Sequence, residues 1–247
     1  MSSGVLSTPD DQGTSADLSL LHSLLGHYAR VLWDIQKTRI AMGNRVAAME
    51  RDNTKPQHMA MLADMEDRLD DMERDVNNHL RRLASRHPLA PWIEEAVGIG
   101  LPGFARILGV TGPLDQFATV SKVWKYMGMH VTAAGTAPKR QKGEKLDYSP
   151  QGRVVCHQLG ESIVKVGRGK YREAYDTKKA AYLARERTGE SQCPFGQTHK
   201  DKSGKVMTCG LLHAHNAAMR FAVKLLLKDL WIAWHNTVPL SQEQGAQ

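Results

Sequence analysis

Cysteine is scarce, with three residues in a chain of 247. Three thiols cannot make a disulfide framework, and such usage fits a reducing compartment. Long hydrophobic runs are missing too. No stretch approaches the roughly 18 apolar residues that a membrane-spanning helix needs. The opening residues, MSSGVLSTPDDQGTS, lack the apolar core of a secretory signal. The expected location is therefore cytoplasmic, with no membrane partner. A GxxxxGK[ST] phosphate loop is also absent.

Acidic residues run short in one part of the chain. Residues 1–90 hold 11 Lys and Arg against 13 Asp and Glu, whereas residues 91–247 hold 22 against 13. The second part, at net +9, is the candidate for a polyanionic partner. The alternative is a solvated basic surface.

Helical periodicity dominates what is present. From Leu18 the apolar seam runs through Leu21, Leu25, Tyr28, Leu32, Ile35, Arg39, Met42, Val46 and Met49. Its spacing alternates three and four, with Arg39 as the polar intrusion. Loop chemistry follows at RDNTKPQ. A second seam is read through Leu62, Met65, Leu69, Met72, Val76, His79 and Leu83, with the acids facing out. The short loop predicts an antiparallel coiled-coil arm over residues 16–87 that mediates homo-oligomerisation or positions another module. Residues 1–15 and 237–247 read as disordered ends. A compact helical domain is expected over 88–236, with a loop insertion at 188–211. The fold class is all-α.

The stretch GIGLPG, Gly98 to Gly103, matches the G-x-G-x-x-G fingerprint of dinucleotide binding. Its context rejects that reading. No strand leads into it, no ribose-binding acid follows at the right distance, and Pro102 removes an N–H from the cradle. A short helix, a glycine hairpin and a second helix fit better. Such a helix-hairpin-helix-like element can present backbone N–H groups of Gly98, Gly100 and Gly103 to a nucleic-acid phosphate. The bland reading is a tight turn with no ligand.

Further basic residues point the same way. The loop APKRQKGEKLDYSPQGR carries Lys139, Arg140, Lys142, Lys145 and Arg153. Arg168, Lys170 and Arg172 follow, with Tyr171 and Tyr175 interleaved, either as base-stacking platforms or as packing residues. Arg220, Lys224 and Lys228 repeat at helical spacing on the last helix, whose other side is apolar through Leu212, Met219, Val223, Leu226, Leu227, Leu230, Ile232 and Trp234. Cys156 reads as a core residue. Cys193, His199, Cys209 and His213 form a candidate tetrahedral zinc set, with His215 as an alternate ligand. The other reading of that segment is an insertion with free cysteines.

Taken in order, these features resemble the C-terminal domain of the insertion-sequence 110/116/902 transposases, a group that includes Piv-type invertases. The likeness covers about residues 93–235. It rests on the glycine hairpin with Ala105 beginning the next helix, and on Phe117, Ser121, Tyr126, Gly128 and Met129. It continues with Tyr148, Ser149 and Gly152 after a glycine-rich loop, and with Ala218, Arg220, Lys224 and Leu225 in the closing helix. The resemblance implies a DNA-binding protein of transposition or recombination, with a guide-like RNA as a further partner. Two departures bear on catalysis. The family's RuvC-like nuclease half, with its acidic tetrad, has no counterpart in residues 1–90. The family's serine before glycine is replaced by Ala134 or Lys142, and the nearest hydroxyls are Thr136 and Ser149. Three readings stand: a DNA- or RNA-binding recombination protein that works with a separate RuvC-like subunit, an oligomeric adaptor derived from a transposase, and an enzyme acting through Ser149.

Overall fold

The computed structural model describes residues 9–132, 137–138, 143, 145–186, 199–200, 206–207 and 211–238. It is all-α apart from one two-residue ladder. The helices are α1 (Pro9–Arg51), α2 (Pro56–Ala84), α3 (Ala90–Glu95), α4 (Gly100–Thr111), α5 (Val120–Tyr126), α6 (Pro150–Val166), α7 (Lys170–Glu186) and α8 (Leu211–Thr237). A 3-10 turn covers Leu114–Gln116. The ladder pairs β1 (His199–Lys200) antiparallel with β2 (Val206–Met207).

Helix α1 starts at Pro9 and so includes residues 9–15, which composition assigns to a disordered leader. Residues 1–8 and 239–247 lie outside the described residues, as does most of the 188–211 insertion.

Helices α1 and α2 form an antiparallel hairpin. Asn53 takes a positive φ of 55° in the turn, and Pro56 opens α2 where its missing N–H costs least. Partner numbers fall on one helix as they rise on the other: His22 meets His87, Tyr28 meets His79, and Arg39 meets Glu73. The α1 seam holds as read, with Leu21, Leu25, Leu32 and Ile35 buried.

The α2 seam holds only in part. Met65 and Met72 are exposed, and Leu80 is buried beside His79, which is half-buried against Tyr28. The inward residues are Leu62, Leu69, Glu73, Val76, Leu80 and Leu83, so alternate members sit one residue further along. Two features of α1 favour this rotation. Arg39 Nε donates to Glu73 Oε2 at 2.8 Å, and Gln36 Nε2 donates to Glu73 Oε1 at 2.7 Å. Gly43 leaves room for the Glu66 carboxylate, which lies 2.6 Å from where a β-carbon would stand. Burial works to raise the Glu73 carboxyl, but the bonds from Gln36 and Arg39 outweigh it and hold it below the ordinary carboxylate range. The acids of α2 are therefore not all on the outer face.

The hairpin base and the later helices share one hydrophobic core. Leu21, Leu25, Leu80 and Leu83 join Leu89, Ile93, Phe104, Ile107, Val155, Leu159, Leu226 and Trp234 in it. The 87/88 boundary between arm and domain falls inside this core. Helix α4 packs on α1 and α2 on one side and α6 on the other. A β-carbon on Gly109 would overlap the Ala29 side chain, so small residues set the approach of α4 to α1.

Helix α8 carries the largest share of the domain core and packs on α5, α6 and α7. Met219, Val223, Leu226, Leu227, Leu230 and Trp234 are buried. Full burial of a side chain of this size contributes about 1.5–3 kcal/mol. Ile232 departs from the expected stripe and is exposed, because Leu226, Leu230 and Ala233 set the buried line.

Candidate nucleic-acid interface

Two of the three glycines expected to meet a phosphate turn the side where a β-carbon would stand toward α6. Gly98 has φ +107°, and a β-carbon there would lie 3.1 Å from Ile163 Cγ1 of α6. A β-carbon on Gly103, inside α4, would lie 3.0 Å from Leu159 Cδ2 of α6. These glycines let the hairpin and α4 seat on α6. Gly100 is different. Its φ is +61°, it is exposed, and the nearest atom to an added β-carbon is its own helix's Pro102 Cδ at 3.8 Å. It begins α4, whose first turn has no side-chain cap and no acidic residue. The turn after α6 rests on the same hairpin, since a β-carbon on Gly169 would lie 2.9 Å from Val97 Cβ. Exposed Arg168 thus comes from a turn packed on this hairpin.

The remaining basic positions separate into three sets. Lys139, Arg140 and Lys142 lie outside the described residues. Lys170 and Arg172 are engaged by their own fold: Lys170 Nζ pairs with Asp229 Oδ2 at 2.6 Å, and Arg172 donates to Asp176 Oδ2 at 2.7 Å and to the Val164 carbonyl at 2.6 Å. Arg153, Arg220 and Lys224 come together near the N-terminal end of α6, with Lys145 exposed in the loop before it.

This third set has a distinctive electrostatic arrangement. Arg153 donates to the Pro138 carbonyl at 2.6 Å and to the Tyr148 hydroxyl at 3.1 Å. Arg220 reaches the carbonyls of Gly128 and His130, at 3.5 and 3.1 Å, just after α5. Lys224 Nζ lies 4.1 Å from the Trp124 ring centroid, and the Trp124 indole N–H donates to the Lys224 carbonyl. Among the described residues none of the three cations pairs with a carboxylate; Asp147 pairs with Lys125 and His130 instead. Burial and then Arg153 push Arg220 below its ordinary value. Burial and then Arg220 do the same to Lys224. Half-buried like charges held together in this way are relieved by an anionic group such as a phosphodiester.

Tyr171 and Tyr175 are core residues, 3% and 2% exposed, which rules out base stacking on their faces. Tyr171 bonds Asp229, and Tyr175 lies 2.7 Å from His215 Nδ1. Ser149 Oγ accepts the Gly152 N–H at 3.0 Å and caps α6. Cys156 is buried as expected, and burial pushes its thiol up to about 12, which makes it inert.

For the zinc set, Cys193 and Cys209 lie outside the described residues. The backbone of His199 pairs with Met207, two residues before Cys209, and His213 lies on the first turn of α8. Among the described residues no cluster of three His, Cys, Asp or Glu forms a metal site. Nor is any described helix long and apolar enough to cross a membrane.

The reading of the sequence missed Arg106. It stands alone as a charge in FARILGV, where Phe104, Ala105, Ile107 and Leu108 are all buried. That placement in an apolar run was the available signal.

Compared with known proteins, the chain matches no family model, no curated protein and no solved structure.

Proposed function

We propose that this chain binds nucleic acid and belongs to the transposase and recombinase class, acting with a nuclease centre carried by a separate RuvC-like subunit. The observation that supports this most is the group Arg153, Arg220 and Lys224, three cations without carboxylate partners among the described residues, next to a loop whose sequence is basic. The exposed Gly100 turn and Arg168 add a second cationic feature near the other end of α6, about 20 Å along its axis. DNA is the first partner to test and structured RNA the second.

A mobility-shift titration in rising salt tests the reading. Each phosphate contact contributes about 0.9 to the slope of log affinity against log salt. Lys224→Met and Arg168→Ala should each lower that slope by about 1. Gly100→Val should weaken binding while the circular dichroism spectrum persists. Absent or salt-independent binding removes the reading.

A second reading, an oligomeric adaptor, is favoured by one surface. Met61, Met65 and Met72 are exposed along one side of α2. Self-association through that side predicts that the Met65→Glu, Met72→Glu double variant sediments as a monomer. If wild type is already monomeric, this reading fails. Residues 193–213 are proposed to hold a structural zinc through Cys193, His199, Cys209 and His213. About one zinc per chain, lost in Cys193→Ser, is expected; a metal-free folded protein removes the zinc.

A further inference from the structure

Between α4 and α6 lies an open cleft of about 250 Å³. Ile99, Pro102, Val155 and Leu159 give it apolar walls, and Arg106, Gln158 and Ser162 are its polar groups. Arg106 also lines a smaller hollow on the α1 side, so its guanidinium stands where the two spaces adjoin.

Arg106 is held but not neutralised. Nη1 donates to Gln158 Oε1 at 3.2 Å, and Nη2 donates to Asn77 Oδ1 at 3.0 Å. Both acceptors are neutral amides. They fix the plane of the guanidinium and leave its charge in place. Nε is buried and finds no acceptor among the described residues. The carboxylate that acts on it electrostatically is Glu73, which is already bonded to Arg39 and Gln36. Burial pushes Arg106 below its ordinary value. A half-buried cation without a bonded anion is costly, and an anionic ligand in the cleft would relieve that cost. Arginine suits that role because Nη1 and Nη2 each keep one further N–H after the two amide bonds, while Nε is enclosed by protein.

We propose that this cleft is a binding site for a small organic anion. One carboxylate or phosphate group sits against Arg106, and a body of about one ring lies between Ile99, Pro102, Val155 and Leu159. Ser162 adds a hydroxyl at the wall. The volume is below the usual 300–1,000 Å³ of ligand pockets, which limits the ligand to a compact molecule. The site does not depend on nucleic-acid binding.

Calorimetric titration of the full chain with benzoate, phenyl phosphate and the neutral isostere benzamide tests the proposal. Saturable binding of benzoate or phenyl phosphate, at least tenfold tighter than benzamide, is expected. The tighter of the two acids identifies the anionic group. Arg106→Gln should lose at least tenfold in affinity. Because Arg106 ties α4 to α2 and α6, a second variant guards against misfolding: Ser162→Trp leaves the arginine intact and should block the cleft. Failure of both acids to bind, or benzamide binding as well as they do, overturns the proposal. So does unchanged affinity in a folded Ser162→Trp protein. Loss of nucleic-acid affinity in Ser162→Trp with no small-anion binding in wild type would assign the cleft to a backbone phosphate instead, and would also overturn it.

Discussion

His87 Nε2 lies 3.0 Å from His22 Nε2, while His87 Nδ1 accepts the Leu89 N–H at 3.1 Å. With its Nδ1 lone pair occupied, neutral His87 carries its proton on Nε2 and donates it to His22. His22 then keeps its own proton on Nδ1. The pair stacks with Trp234 of α8, and His87 also meets Phe104 of α4 edge-on. One contact thus joins α1, the turn after α2, α4 and α8. A second proton on either ring would sacrifice an acceptor in a buried setting.

Acid should therefore loosen this junction. Burial, with His22 adding to it, lowers His87 from 6.5 to about 3, and His22 is lowered by burial as well. Between those values the unfolded chain binds more protons than the folded one. Stability is fully present above pH 6.5 and is lost progressively as pH falls toward 3, by up to about 1.4 kcal/mol per pH unit for His87. Urea unfolding of wild type and His87→Leu at pH 7 and pH 5 checks this. The variant should be less stable at pH 7 and less sensitive to pH; equal sensitivity would refute the assignment.

The Arg39–Glu73 pair makes a prediction about register. Arg39→Leu leaves a half-buried carboxylate facing an apolar seam and should cost about 1–3 kcal/mol. Adding Glu73→Leu should recover most of the loss, because an apolar pair suits the seam. Thermal unfolding of the two single variants and the double variant reads the coupling. Additive losses would mean that the pair does not set the seam.

Gly98 and Gly103 should tolerate no side chain. Gly103→Val drives a β-carbon into Leu159 and should cost about 1–3 kcal/mol through overpacking. Gly98→Val adds a positive φ to its clash with Ile163 and should cost more. Gly100→Val should cost less than Gly98→Val, since no neighbour closes on it. Denaturant midpoints rank the three, and a Gly100 effect as large as that of Gly98 would contradict the packing.

Ser149 should behave as a helix cap. Ser149→Ala is expected to lose about 0.5–2 kcal/mol, and Ser149→Asp to retain most of that stability. Any strand-transfer activity of the wild type should survive in Ser149→Asp. Loss of activity in a stable Ser149→Asp protein would instead make the hydroxyl a nucleophile.

Much of the local structure was legible because local rules set it. Pro56 and Pro150 open helices, Ser149 caps one, and Gly128 and Gly167 end two with φ near +70°. The three- and four-residue spacing from Leu18 onward placed α1, and the run from Met219 to Trp234 placed α8. The candidate site was only partly legible. Arg153, Arg220 and Lys224 were picked out as basic residues, but their convergence requires α5, α6 and α8 to meet. Tyr171 and Tyr175 read as packing residues more readily than as stacking platforms, and α8 covers them.

The sequence by itself determined the helices, most of their ends and the excess positive charge after residue 90, because periodicity, capping and composition are local properties; the start of α1 at Pro9 was not among them. Only the tertiary structure decided which side of each helix turns inward. On α2 the lines through Met72 and Glu73 are one residue apart, and Arg39 across the hairpin selects the acid. The same holds for GIGLPG. Its spacing announced a turn, but α6 took Gly98 and Gly103 for close packing and left Gly100 exposed. Arg106 stands in plain view in the sequence, yet its missing counter-charge exists only once α2, α4 and α6 surround it with amides instead of a free carboxylate.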